Sequence, residues 1–296
     1  VERLRAAGLE PLIASRSSEM RIDANDRDVL RAQLRQRDLV IDAAGPFQTR
    51  NSALVEVAQK VGFDVIDLSD SADYSMLVLQ YEAPIAAAGI RVLTACSSLS
   101  TVSAAVVGMS GISQPRRVTA YLRPASRKTA NPASIASFLG ALTDRQRRIQ
   151  FPEPLGKRQG IALKSVDSAT LPRAFASLKD AELVVDAGIP GANLVLRKPE
   201  LRKYALRHES KLIALTKRIG PKTAILAYEI AESGGRTKHH VLTGENTHLT
   251  AVIPAVLAAQ AIAAGKYPHR GVVPPNQHVD PNKLFEALRR EGIAIT

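Results

Sequence analysis

Leu39-Val40-Ile41-Asp42-Ala43-Ala44-Gly45-Pro46-Phe47 is an apolar run, broken only by Asp42, that closes on small residues. A continuous run of this kind suits a strand buried on both faces. Residues 51–62 follow with a different rhythm: Ala53, Leu54, Val57, Ala58 and Val61 share one helical stripe. Asn51 can cap the start of that helix and Gly62 can end it. Phe63–Leu68 is the next apolar run. Strand, helix and strand joined by short connections form a βαβ unit, which implies a parallel sheet with helices on its faces.

The same alternation extends outward. Upstream, Asp28–Arg37 reads as a helix with Val29, Leu30 and Leu34 on one face, and Leu9–Ser15 as a short strand. Val1–Gly8 reads as the end of a helix, with Leu4 and Ala7 on one face and Gly8 as its C-terminal cap. Downstream, Tyr74–Gly89 reads as helix divided or bent at Pro84. Ile90–Ala95 is a strand, and Ser100–Gly108 a helix capped by Ser100 or Thr101. Beyond residue 110 the pattern changes. Arg117–Arg123 reads as a strand, Asn131–Leu142 as a helix, Gln150–Lys164 as loop and Pro199–Ile219 as one long basic helix. Ala224–Ala231 and Lys238–Thr243 flank Gly234-Gly235, a hairpin signal. Leu249–Gly265 is Ala-rich and nearly uncharged, hence a buried helix; Val272–Pro275 and a helix over Pro281–Glu291 close the chain. The expected organisation is a parallel-sheet domain from 1–115 plus 249–296, and an α+β substrate or dimerisation domain from 116–248.

Bulk composition narrows the function classes. The 296 residues exceed one ordinary small domain, and the 45% apolar fraction allows a sizeable core. Cys96 is the one cysteine, so no internal disulfide forms and no metal-ligand spacing exists. H-E-x-x-H and G-x-S-x-G are absent, and no metal is expected. A reducing, cytoplasmic setting fits the thiol count, and no apolar run approaches the roughly 18 residues of a membrane span. The formal charge is +12. The cations are spread along the chain with little aromatic interleaving, which argues against single-stranded nucleic acid as a partner. A basic protein handling phosphorylated or acidic small molecules is the better reading.

Two places carry chemistry. Ala14-Ser15-Arg16-Ser17 follows the first visible strand. In dinucleotide-binding folds this strand end faces the adenosine ribose, where an acidic residue selects NAD and an Arg accommodates the 2′-phosphate of NADP. Arg16 suits phosphate, and Ser15 and Ser17 add hydroxyl donors, so NADP is favoured over NAD. The second place is Asp42–Phe47. Ala43, Ala44 and Gly45 let a ligand approach the backbone, and Pro46 with Phe47 fixes the turn. A strand followed by G-x-G-x-x-G should precede the helix ending at Gly8, and it is missing. In the order 3-2-1-4-5-6 that strand is internal, so its two neighbours would be left unpaired. Either the given start lies downstream of the true one, or the chain is a fragment.

On these residues the sequence resembles the saccharopine dehydrogenase-like oxidoreductase family. Ile13–Ser17, Leu39–Phe47 and Val57–Leu68 carry the resemblance at the front. At the end it is carried by His248–Gly265, Gly271-Val272-Val273-Pro274-Pro275 and Leu284–Ile293. The resemblance implies a Rossmann-type domain, an α+β second domain and NADP- or NAD-linked redox activity on a small-molecule substrate. It would place the adenosine phosphate at Arg16 and the diphosphate-ribose region near Ala44–Phe47. A homodimer is compatible with it. The chain departs from the family at the missing glycine loop, and at Cys96-Ser97-Ser98-Leu99-Ser100, where relatives often have a Gly- or Pro-containing turn.

No proton donor stands out. Cys96, His239, His240, His248, Lys128 and Tyr228 are the candidates, and each is also explained as a packing or surface residue. The missing loop and the lack of an evident donor leave a non-catalytic dinucleotide-binding relative as the alternative to an oxidoreductase. The basic segment Arg197–Arg218, with Leu201, Leu212 and Leu215 interspersed, reads as a solvated helix face; an anionic membrane surface is its other reading.

Overall fold

A computed structural model of the chain describes residues 1–132, 135, 139, 142–189, 191–196, 198–246 and 248–296. The front begins with α1 (Glu2–Ala6), β1 (Ala14–Ser15), β2 (Met20–Arg21) and α2 (Arg27–Gln33). Next come β3 (Leu39–Asp42), α3 (Ala53–Val61), β4 (Asp64–Asp67), α4 (Ala72–Leu79), α5 (Glu82–Ala87), β5 (Arg91–Leu93) and α6 (Thr101–Met109). The middle holds β6 (Pro115–Arg123), α7 (Ser126–Thr129), β7 (Leu142–Gln150), β8 (Lys157–Leu163), α8 (Asp167–Ala174) and β9 (Asp180–Val185). It continues with α9 (Ala192–Leu196), α10 (Pro199–Arg207), α11 (Glu209–Ile219), β10 (Ala224–Glu232) and β11 (Thr237–Gly244). The chain closes with α12 (His248–Ala263), β12 (Gly271–Val272), α13 (Pro281–Arg290) and β13 (Ala294–Ile295).

The first sheet has the order β12-β5-β4-β3, and every neighbouring pair is parallel. Side chains alternate across it, as the period of a strand requires. Val65 and Val92 face a core built with Leu30, Leu54, Val57 and Ile85 from α2, α3 and α5. Ile66 and Leu93, their chain neighbours, face Ala255, Ala258 and Ala259 of α12. Helices thus cover both faces, which explains why α12 is Ala-rich and uncharged. The second sheet has the order β13-β11-β10-β6-β9-β8-β7. It is mixed: β6 and β9 pair in parallel and the other neighbours are antiparallel. Leu226, Tyr228 and Ile230 turn to α6 and α13, while Ile225 and Ala227 face Tyr121 and Phe151. This is an α/β protein with a parallel sheet and a second α+β layer. The tail serves both sheets, since β12 extends the first and β13 the second.

Several sequence expectations are corrected. Leu9–Ser15 forms a strand only over Ala14–Ser15, paired with Met20–Arg21, and Leu12 is 84% exposed. Ala14–Ser15 and Met20–Arg21 form a two-stranded sheet of their own, so residues 9–13 pair with no strand of the main sheet. Tyr74–Gly89 is two helices, broken before Pro84 because a proline ring excludes the carbonyl four residues back, that of Gln80. Gln150–Lys164 is not loop: Lys157–Leu163 pairs with Leu142–Gln150. Its Gly160 reads as a breaker, yet a Cβ there would lie 2.5 Å from the Val185 carbonyl oxygen, so glycine serves close strand packing. The basic stretch is two helices that meet at His208, whose φ −117° and ψ 35° leave the helical region. Of the helix expected over Asn131–Leu142, residues 133, 134, 136–138, 140 and 141 lie outside the described residues, and Leu142 opens β7.

Candidate functional site

The carboxyl ends of β3, β4 and β5 are organised by buried carboxylates. Asp42 ends β3. Its Oδ1 accepts hydrogen bonds from the Ala44 amide and from Arg50 Nη2, both at 3.0 Å. The Asp42 and Arg50 side chains are 3% and 5% exposed, so this ion pair is buried. Arg50 also donates to the Ala44 carbonyl and lies 5.4 Å over the Phe47 ring. Phe47 in turn packs on Tyr74 with ring centroids 5.6 Å apart. The ion pair and the aromatic plug tie down both ends of the turn, leaving Ala43, Ala44, Gly45 and Pro46 exposed on the rim. A Cβ added at Gly45 would meet nothing nearer than the Phe47 nitrogen at 4.0 Å, so the rim there is open.

Asp67 ends β4 and is the in-register partner of Asp42. Its Oδ1 accepts from the Ser69 and Ala95 amides at 3.0 and 2.8 Å, which ties the exit of β4 to that of β5. Full burial pushes its pKa up to about 7, against the lowering effect of those amides. Burial also raises the Asp42 pKa, opposed by Arg50 and the Ala44 amide. Asp42 Oδ2, Asp67 Oδ2, Arg50 Nε and the Tyr74 hydroxyl are buried polar atoms without a partner among the described residues. Tyr74 holds its proton more tightly than usual because of burial and the two nearby carboxylates. The sequence reading passed over Arg50, Asp67 and Tyr74. The available signal was an Asp ending two successive apolar strands.

At Ser15–Ser17 the side chains close a small turn. Ser15 Oγ accepts from the Ser17 and Ser18 amides at 3.1 and 2.9 Å, and Ser18 Oγ accepts from the Ser15 amide at 2.7 Å. Arg16 stands exposed at the tip and takes no partner among the described residues. The Ile22 amide donates to the Ser15 carbonyl at 3.0 Å. Three residues on, Asn25 is joined by two hydrogen bonds to Asn51, just past the β3 exit turn.

The proton-donor candidates separate. Cys96 is fully buried, and burial pushes its thiol up to about 12, so it stays protonated and inert. Tyr228 is a core residue whose hydroxyl meets Ser103 at 3.2 Å, and burial raises its pKa. His239 lies 3.5 Å from Glu229 across the hairpin, with its ring edge on Phe151. His240 is half-buried, and burial lowers its pKa. Lys128 and His248 come together: with Glu245, Asn246 and Glu291 they line a cavity of about 530 Å³. Lys128 pairs with Glu245 and holds its carboxyl below the usual range. The cavity sits at the start of α12, whose Thr250 hydroxyl meets Ser98 at 2.7 Å beyond the β5 exit.

No family model matches the sequence, and no curated protein matches it. Solved structures do. The chain is similar to apo saccharopine dehydrogenase (L-Glu forming) from Saccharomyces cerevisiae, with 14% identity, TM-score 0.54, and coverage of 93% of this chain and 87% of that one. It is also similar to a mutant meso-dapdh from Clostridium tetani, with 12% identity, TM-score 0.42, and coverage of 98% and 95%. GenD2 from gentamicin A biosynthesis, solved in complex with NAD, shares 12% identity at TM-score 0.42 over 100% and 91% of the two chains. The chain has a fold similar to that of saccharopine dehydrogenase.

Proposed function

We propose that this chain is an NADP-dependent oxidoreductase of the saccharopine dehydrogenase-like type, acting on a small-molecule substrate. The observation that carries the reading is the exposed, small-residue exit of β3, held open by the buried Asp42–Arg50 pair on the carboxyl rim of a parallel sheet. The residues fit a dinucleotide. Arg16, which takes no partner among the described residues, offers a cation to a 2′-phosphate, with the Ser15 and Ser17 hydroxyls beside it. Ala43, Ala44, Gly45 and Pro46 present backbone to the diphosphate-ribose region, and buried Phe47 anchors their turn. When bound, the nicotinamide supplies the hydride chemistry. Lys128 and His248 line the cavity, where a carbonyl or imine substrate would meet them. A homodimer and a cytoplasmic setting complete the proposal, the latter in keeping with the single buried thiol of Cys96.

Calorimetric titration with NADPH and NADH tests it. NADPH should bind more tightly than NADH. Arg16→Ala should weaken NADPH about tenfold or more, the loss of a charge-assisted contact, and leave NADH nearly unchanged. Equal affinity for the two, or an Arg16→Ala variant that binds NADPH normally, would refute the assignment to NADP. Binding of neither would remove the dinucleotide reading itself.

A further inference from the structure

Among the described residues, half-buried arginines have partners, with two exceptions. Arg50, Arg91, Arg147 and Arg173 pair with carboxylates, and Arg127 and Arg202 donate to backbone carbonyls. Arg123, the last residue of β6, takes no partner among the described residues. Arg158 of β8 donates only to the carbonyl of its neighbour Lys157, at 3.4 Å. The Nε of each is buried and unpaired. A charged donor left unmade in the interior is costly, so a guanidinium held in this way calls for an acceptor.

Strand register puts the two on one face of the second sheet. Tyr121 pairs with Val184 of β9, and Val184 pairs with Ala162 of β8. Side chains on a strand return to the same face every second residue. Arg123 therefore shares the face of Tyr121, Asp186 that of Val184, and Arg158 that of Ala162. Leu122 pairs with Val185, and Val185 with Ile161, so Arg123 lies level with Asp186 and Arg158 level with Gly188. The Arg123 stem runs beside Gly188: a Cβ added there would stand 3.0 Å from Arg123 Cγ and Cδ. Both guanidiniums also act on the Tyr121 hydroxyl. Burial and Asp186 raise its pKa, while Arg158 and Arg123 lower it.

The carboxylates of this face are engaged elsewhere. Asp186 accepts from the Gly188 amide and from Asn193 Nδ2 at 2.9 Å, and from the Tyr121 hydroxyl at 2.8 Å. Glu182 is held by Arg145 and Arg147, and Glu229 by Arg117. Two guanidiniums thus share the neighbourhood of one carboxylate that pairs with neither, which leaves one positive charge unbalanced.

We infer that Arg123 and Arg158 form a binding site for a small oxyanion, a phosphate or carboxylate group. A guanidinium keeps its charge at every physiological pH, and its planar fork matches the oxygens of either group. The site belongs to the second sheet and uses none of the residues assigned to the dinucleotide, so it stands or falls apart from that reading.

Calorimetric titration of the whole chain with inorganic phosphate and, separately, with acetate is the experiment, at an ionic strength held constant with sodium chloride. At least one of the two should bind saturably, and which one does identifies the group. Arg123→Gln and Arg158→Gln should each weaken that binding about tenfold or more, the loss of a charge-assisted contact. Arg148→Gln, which removes an exposed cation of β7, should leave it unchanged. In buffer free of both anions, neither Arg123→Gln nor Arg158→Gln should melt below the parent, because each removes a half-buried cation that has no ion-pair partner. Should Arg123→Gln unfold the chain, Arg158→Gln carries the test. Saturable binding of neither anion would overturn the inference, as would binding that both variants retain or that Arg148→Gln weakens equally. Phosphate binding lost in Arg16→Ala and kept in Arg123→Gln would place the anion at the dinucleotide residues, and would overturn it too.

Discussion

Ser100 adopts φ 71° and ψ −76°, closing a γ-turn in which the Thr101 amide donates to the Leu99 carbonyl at 3.0 Å. A non-glycine residue held there stores about 1–3 kcal/mol of strain. Its hydroxyl is buried without a partner, while its amide donates to Asp167 at 2.5 Å. Ser100→Gly keeps the amide and removes the strain. It should raise stability by about 1 kcal/mol after the entropy of glycine is set against the relief, as read from the midpoint of urea unfolding. Asp67 behaves differently. Its folded pKa of about 7 lies above the ordinary 3.8, so the unfolded chain releases the proton first and stability falls as pH rises between those values. Asp67→Asn mimics the protonated acid. It should gain on the order of 2 kcal/mol over the parent above neutrality, and the gain should vanish at acid pH. A constant offset across pH would show that Asp67 does not titrate. These residues were not legible as a site. Asp42 and Asp67 each occupy a last-strand position, and only pairing in register joins them.

Among elements, the helices and strands of the parallel sheet were legible because burial on both faces leaves continuous apolar runs. The β7–β8 hairpin was not. Arg145, Arg147 and Arg148 crowd β7, and two of them share the Glu182 carboxylate across the sheet, a pairing that linear order does not reveal. Gly160 is the decisive residue. Gly160→Ala would place a Cβ against the backbone of Val185, which cannot swing aside as a long side chain could. It should cost about 2–3 kcal/mol. A variant melting within error of the parent would mean that β8 and β9 are not so closely packed. The hairpin β10–β11 was foreseen from Gly234-Gly235, because Gly235 takes the positive φ of 84° that the turn demands.

At the scale of the whole molecule, α6 is the seam between the two sheets, and its start is held by buried titratable groups. Asp167 binds the Ser100 amide and the Ser103 hydroxyl, which also meets Tyr228 of the second sheet. His278 bonds Thr101 through Nδ1 at 2.7 Å and the Val273 carbonyl through Nε2 at 3.0 Å. A carbonyl only accepts, so Nε2 carries a proton, and burial keeps the ring neutral at neutral pH. Burial raises Asp167 from 3.8 to about 6 and lowers His278 from 6.5 to about 4. The two oppose each other. As pH rises through that window, Asp167 removes stability and His278 restores it. Asp167→Asn should leave the His278 contribution exposed, so its melting temperature should climb from about pH 4 to 6.5 more steeply than that of the parent. Parallel curves for the two proteins would count against a titrating seam.

The order of strands and helices, the parallel sheet and the burial of α12 were determined by the linear pattern of apolar residues, because local periodicity reports which face of an element meets the core. The turn at Asp42–Phe47 was legible from Gly45 and Pro46, whose backbone preferences end a strand. Tertiary structure alone decided which distant groups share one environment. It joined Asp42 to Asp67 and brought Lys128 to His248. Burial and proximity depend on how elements stack, and stacking is set by contacts among residues far apart in the chain.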